Sequence, residues 1–141
     1  MHFDPNNKIN QLCAKGMEME AQQPAEAKAM FLQAWDEALA DVEKFTAAHY
    51  IARHQLSTED KLRWDKIALE FASKINDNSM VSTFPSLYLN IAKCYEDLHD
   101  FDNAQRNYAT ALSYADKLPA DGYGKMITSG IKNGLARVSK F

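Results

Sequence analysis

Twice in this chain a large aromatic residue stands between two alanines at the same spacing: Ala27, Phe31, Ala34, and again Ala104, Tyr108, Ala111. Offsets of four and three put all three residues on one face of an α-helix. Small residues let one helix approach its neighbour closely, and the ring fills the space beside that approach. A chain carrying such a seam twice is constrained to helix-on-helix packing. No sustained period-2 alternation bounded by turn residues competes with it. The predicted fold class is all-α.

The start and stop signals divide the chain into about seven helices. Asp4 followed by Pro5 reads as an N-cap with proline at the first helical position, and Ile9, Leu12, Cys13, Gly16 and Met19 continue at helical spacing. Pro24 opens a second helix with the face Ala27, Phe31, Ala34, Trp35 and Ala38. No glycine or proline interrupts Pro24 to Gln55, which is too long for one ordinary helix. A break is therefore expected near Leu39 to Asp41, with Asp41 as N-cap of a helix carrying Val42, Phe45, His49 and Ala52. Ser57 stands three residues before Asp60 in the manner of a capping box. The helix it starts carries Leu62, Trp64, Ile67, Ala68, Phe71 and Ile75. Asn76 to Thr83 is polar and turn-like. Pro85 opens a helix bearing Leu87, Tyr88, Ile91, Ala92 and Tyr95, and a tight turn at His99 to Asp102 leads to the Ala104 seam. After a loop at Pro119 to Gly124, a last helix carries Met126, Ile127, Ile131, Leu135 and Val138. Short connections imply antiparallel neighbours. The predicted organisation is one domain over 1–141: helix pairs at about 5–38, 41–76 and 85–118, and a capping helix at about 124–139.

With 141 residues the chain can bury a sizeable core without disulfide or metal staples. A net charge of -3 argues against a general nucleic-acid binder. No apolar run reaches the roughly 18 to 20 residues needed to cross a bilayer, so no membrane partner is expected. Met1 to Asn10 is polar and lacks the basic and apolar regions of a signal peptide. The expected location is cytoplasmic. Cys13 and Cys94, far apart and each beside apolar neighbours, read as buried thiols rather than a disulfide.

From Pro85 to Asp116 the chain resembles the tetratricopeptide repeat family. Tyr88, Ile91, Ala92 and Tyr95 stand where the family places Trp, Leu, Gly and Tyr, and Ala104, Tyr108 and Ala111 complete the second helix. The unit-closing proline is absent; Pro119 comes three residues late. Leu12, Gly16 and Met19 suit a first unit whose turn is one residue short. The middle unit is irregular, with Tyr50 in its first helix and Trp64 where an alanine is expected. From Ala27 to Ala104 is 77 residues, so insertions fall near His54 to Asp60 and Asn76 to Thr83. The segments His49 to Gln55 and Phe84 to Leu87 resemble those of small bacterial three-repeat proteins, some of which bear a methyltransferase label. No strand followed by a glycine-rich loop supports that chemistry here. The resemblance implies a right-handed superhelix of three helix pairs with a concave binding face. The seventh helix would cover the last pair, with Gly130 and Gly134 allowing close approach.

The densest polar cluster is His49, Tyr50, Arg53 and His54. His49 and Arg53 are one turn apart, as are Tyr50 and His54, so one helix can present two imidazoles, a phenol and a guanidinium together. Such a set can bind an anion or move protons near neutral pH. If it does, His49, Arg53 and His54 should line one solvent-reaching pocket with Tyr50 or Tyr88 as its wall. The competing reading makes His49 a neutral core residue and leaves Arg53 and His54 as cations favoured by a helix C-terminus. No ligand pattern for a metal is recognisable, and neither a serine elbow nor a cysteine–histidine pair at helical spacing marks a nucleophile. Asn90 and Lys93 read as a solvated face. No acid follows Asp121, whereas Lys125, Lys132, Arg137 and Lys140 do. That basic helix can meet an acidic partner or RNA, or can simply keep the chain end soluble. Trp35 and Trp64 are expected in the core.

The leading expectation is a non-catalytic protein or peptide interaction module with no cofactor. The alternative is a helical protein that binds a small molecule or anion through the histidine–arginine cluster. An enzyme, including one associated with RNA modification, stands third.

Overall fold

Asn7 begins the first helix, because its side-chain oxygen accepts the amides of Ile9 at 2.8 Å and Asn10 at 3.1 Å. Two of the amides that a helix start leaves without partners are thereby satisfied. In the computed structural model, which describes residues 4–141, α1 accordingly spans Lys8–Met19. The expected start at Asp4 and Pro5 is corrected. The Asp4 side chain accepts the Asn6 amide at 2.9 Å and its carbonyl the Asn7 amide at 3.1 Å, which closes a turn instead. Aspartate followed by proline suits a turn as well as a helix start, since both need the same φ of proline.

Six more α-helices follow among the described residues: α2 Pro24–Glu37, α3 Asp41–Ala52, α4 Thr58–Lys74, α5 Phe84–Asp97, α6 Phe101–Ser113 and α7 Gly122–Val138. Short 3-10 helices occupy Asn78–Thr83 and Ala115–Lys117, and no strand occurs among the described residues. The protein is all-α, as its periodicity predicts. The break between α2 and α3 falls where expected, but Ala40 rather than Asp41 is the cap. Alanine has no capping oxygen, so Glu43 supplies the function from within the helix: its Oε1 accepts the amides of Leu39 and Ala40, each at 3.0 Å. Asn7 Nδ2 donates to the other oxygen at 2.8 Å and ties α3 to the start of α1. These bonds hold the Glu43 carboxyl below its ordinary range. Ser57 caps α4 as expected, its hydroxyl accepting the Asp60 amide at 3.1 Å. At the end of α5, His99 takes φ 62°, a left-handed conformation usually given to glycine. The His99 and Asp100 amides donate back to the carbonyls of Glu96 and Tyr95, which closes the helix and turns the chain into α6.

The helices gather into two compact units, the first ending at Ile75 and the second comprising Asn76–Phe141. In the first, α1 packs on α2 and α3 on α4, with α2 and α1 also meeting α3. Its core joins Ile9, Cys13, Ala27, Phe31, Ala34 and Ile51. Phe31 is fully buried, and a Cβ on Gly16 would fall 2.6 Å from its ring, so α1 approaches α2 over a glycine. Burying such a ring stabilises the fold by about 1.5–3 kcal/mol. Trp35 meets Trp64 edge-on with centroids 5.1 Å apart, and both pack against this core.

In the second unit α5 pairs with α6, and α7 packs on both. Ala92, Ala104, Tyr108 and Val138 form one buried cluster; Ala111, Ile127 and Ile131 form another, flanked by Leu89, Leu118 and Leu135. The stripe of α7 therefore covers the α5–α6 pair as its spacing predicts. Cys13 and Cys94 are buried thiols outside any disulfide, and burial pushes the Cys13 thiol up to about 11.

Candidate functional site

The helix α3 ends at Ala52 because the chain turns there: the Arg53 and His54 amides donate to the carbonyls of Tyr50 and Ile51 at 3.2 and 3.0 Å. That turn brings the Arg53 and His54 side chains to the end of the helix, where the dipole favours the Arg53 cation. Both converge on one acceptor. Glu20, the residue that ends α1, places Oε2 2.9 Å from His54 Nε2 and 3.2 Å from Arg53 Nη2. His54 and Glu20 are mostly shielded, with side chains 14% and 18% exposed, while Arg53 is half exposed. A shielded carboxylate between two donors is stronger than the same contact in open water.

The wall behind this triad is aromatic. Tyr50 stacks on Phe31 with centroids 5.1 Å apart, His54 leans on the same Phe31 ring at 5.4 Å, and the Arg53 guanidinium lies 5.5 Å over Tyr50. Burial pushes the Tyr50 phenol up, with Cys13 and Glu20 adding to the effect and Arg53 opposing it. In front lies an open cleft of about 360 Å³, lined by Pro24, Ala25, Lys28, Arg53, His54 and the fully exposed Leu56, with Gln55 between them. Tyr50 and Phe31 back the triad. Tyr88 belongs to the second unit, where it stacks on Tyr114 with planes 6° apart and Phe84 leans on both rings. Burial and Tyr114 push its phenol up.

His49 does not line that cleft. Its ring sits between Phe45 and Tyr50, at 6.2 and 5.3 Å, and its Nδ1 is sealed from solvent with no hydrogen-bond partner. Burial lowers its pKa below 6.5; Arg53 and Lys61 push the same way, and Asp65 and Glu20 oppose. The neutral imidazole is the form the fold accepts. Asp65, itself only 2% exposed, is engaged by Lys61 at 2.7 Å.

The residues singled out from the sequence thus separate: Arg53 and His54 share a cleft, Tyr50 stands behind them, His49 is turned into the packing, and Tyr88 is occupied elsewhere. Glu20 was missed. It lies 34 residues before His54, and no local spacing relates the two. Lys93 reaches Asp97 one turn along α5, as a solvated face would. Among the described residues no histidine, cysteine and carboxylate cluster is suited to a metal. No helix among them is long and apolar enough to cross a membrane. Comparison with protein-family models, with curated proteins and with solved structures finds no match to this chain.

Proposed function

We propose that this chain is a non-catalytic interaction module of tetratricopeptide type, built from antiparallel helix pairs, that binds a protein or peptide partner. One observation carries the reading: the same lock is built in each unit. A fully buried ring flanked by two fully buried alanines, Phe31 in one and Tyr108 in the other, presses against a glycine of an adjoining helix, Gly16 and Gly134 respectively. Repeated helix pairs locked in this way commit their seams to one another and leave outer faces free, which is how helical-repeat proteins present binding surfaces. The test is a display library of short peptides of varied charge and hydropathy, followed by calorimetry on the selected sequences. Saturable one-to-one binding of at least one peptide is expected. If no peptide binds and small anions alone raise the melting temperature, the module reading fails.

A second reading has its own support. Lys28, Arg53 and His54 border one cleft over an aromatic wall, and this set suits a carboxylate or phosphate group. An anion there would compete with Glu20 for two donors. Titration with phosphate and citrate, followed through the imidazole resonances of His54, distinguishes this reading: a saturable shift lost in Arg53→Met favours it, and no shift removes it.

A further inference from the structure

Helix α7 carries a conflict between charge and position that packing does not resolve. Its buried side is accounted for by Ile127, Ile131 and Val138. On the outer side, Lys125 lies in the first turn, where the helix dipole favours anions, and that turn holds no acid. The capping Asp121 accepts the Gly124 amide, and neither Lys125 nor Lys132 has an ion-pair partner among the described residues. Arg137 is different: it forks onto Glu96 at 2.8 and 3.1 Å, and Tyr108 donates to the same carboxylate at 2.7 Å. Arg137 is therefore a structural cation, and the two lysines are not.

The lysines border an open groove of about 530 Å³ between α7 and the segment that leads into it. Leu118, Pro119 and Ala120 supply apolar lining, Thr128 and Ser129 supply hydroxyls, and Asp116 is the one acid, lying 4.0 Å from Lys117. On a chain of net charge -3 this is a local positive patch with an apolar lining.

We infer that this groove docks an acidic segment of a protein partner in polyproline II conformation, with two carboxylates three positions apart and two apolar side chains between them. The inference rests on the interaction-module reading and names the partner's chemistry. Lys125 and Lys132 are two helical turns apart, about 10 Å along the axis. Three residues of polyproline II chain rise about 9 Å and complete one turn, so both carboxylates lie on the same face. The two residues between the carboxylates then flank that face, against Leu118 and Pro119. No aromatic ring lines the groove, so it has no platform on which a nucleic-acid base could stack.

The test uses the full chain and a fluorescent peptide with Glu-Leu-Val-Glu at its centre, followed by anisotropy at low and high salt. Saturable binding that weakens with salt is expected. Lys125→Gln with Lys132→Gln should weaken it about tenfold, the scale of losing two partly exposed charge pairs, with the helical circular dichroism unchanged. Replacing the peptide's leucine and valine with serine should weaken it further. Unchanged binding by the double variant overturns the inference, and so does tighter binding of a single-stranded RNA of equal charge. If the acidic peptide fails while other library peptides bind, the groove assignment falls and the module reading stands; if none bind, both fall.

Discussion

Gly134 lies against the face of Tyr108 so closely that a Cβ built on it would fall 2.3 Å from the ring carbons Cε1 and Cζ. The ring cannot retreat, because it is fully buried and its hydroxyl is held by Glu96, which Arg137 also grips. Gly134→Ala should therefore destabilise the protein by about 1–3 kcal/mol through overpacking, against a helix propensity that favours alanine by about 1 kcal/mol. Urea unfolding measures the sum. A stabilised variant would mean that α7 does not press on α6 at this point.

Ala104→Leu addresses the seam between α5 and α6. Ala104 is fully buried beside Ala92, Tyr108 and Val138. Added methylenes have no void to enter, and a loss of about 1–3 kcal/mol is expected. A midpoint in urea equal to that of wild type would contradict the close approach.

Ending the chain at Pro119 removes α7 and uncovers Ala111, Leu89 and the Tyr108 face. The exposed patch should drive self-association. Size-exclusion chromatography with light scattering checks this; a monomer of unchanged stability would show that α7 is dispensable as a cover.

His49 makes stability depend on pH. Burial lowers its folded pKa below the unfolded 6.5, so the unfolded chain binds the proton more readily. Its contribution is intact above about pH 6.5 and is lost as pH falls toward the depressed folded value. In His49→Leu that loss should vanish, since leucine leaves no sealed Nδ1 and nothing to protonate. The gap between the two melting temperatures should be constant above about pH 7.5 and move in favour of the variant as the solution is acidified. Parallel curves throughout would refute the burial argument.

Arg53→Met separates the two roles of the Glu20 triad. Arg53 is half exposed, so its contact is worth at most about 1 kcal/mol, and His54 still holds Glu20. Little change in stability is expected. Glu20→Ala should cost more, because it leaves the shielded His54 without its acceptor. Chemical unfolding of the pair gives the order, and the reverse order would remove Glu20 as the organiser of the site.

Local spacing determined most of what forms here. The offsets in Ala27–Phe31–Ala34 and Ala104–Tyr108–Ala111 specify helical faces within a few residues of themselves. Ser57 and the Ile127–Ile131–Leu135 stripe likewise act within one or two turns. The all-α class, the second seam and the cover over the last pair were legible for that reason. The start of α1 was not, because Asp4–Pro5 suits a turn and a helix equally, and the competing Asn7 had to find its amides. At the site, sequence placed Arg53 and His54 together but not Glu20, whose position is set by where α1 ends against α3. It could not separate His49 from them either. One turn of helix joins His49 to Arg53, yet only the packing of Phe45 and Tyr50 around the ring decides that its Nδ1 faces no solvent. Periodicity acts through neighbours in the chain, whereas charge pairing and burial depend on distances between helices that the chain alone does not state.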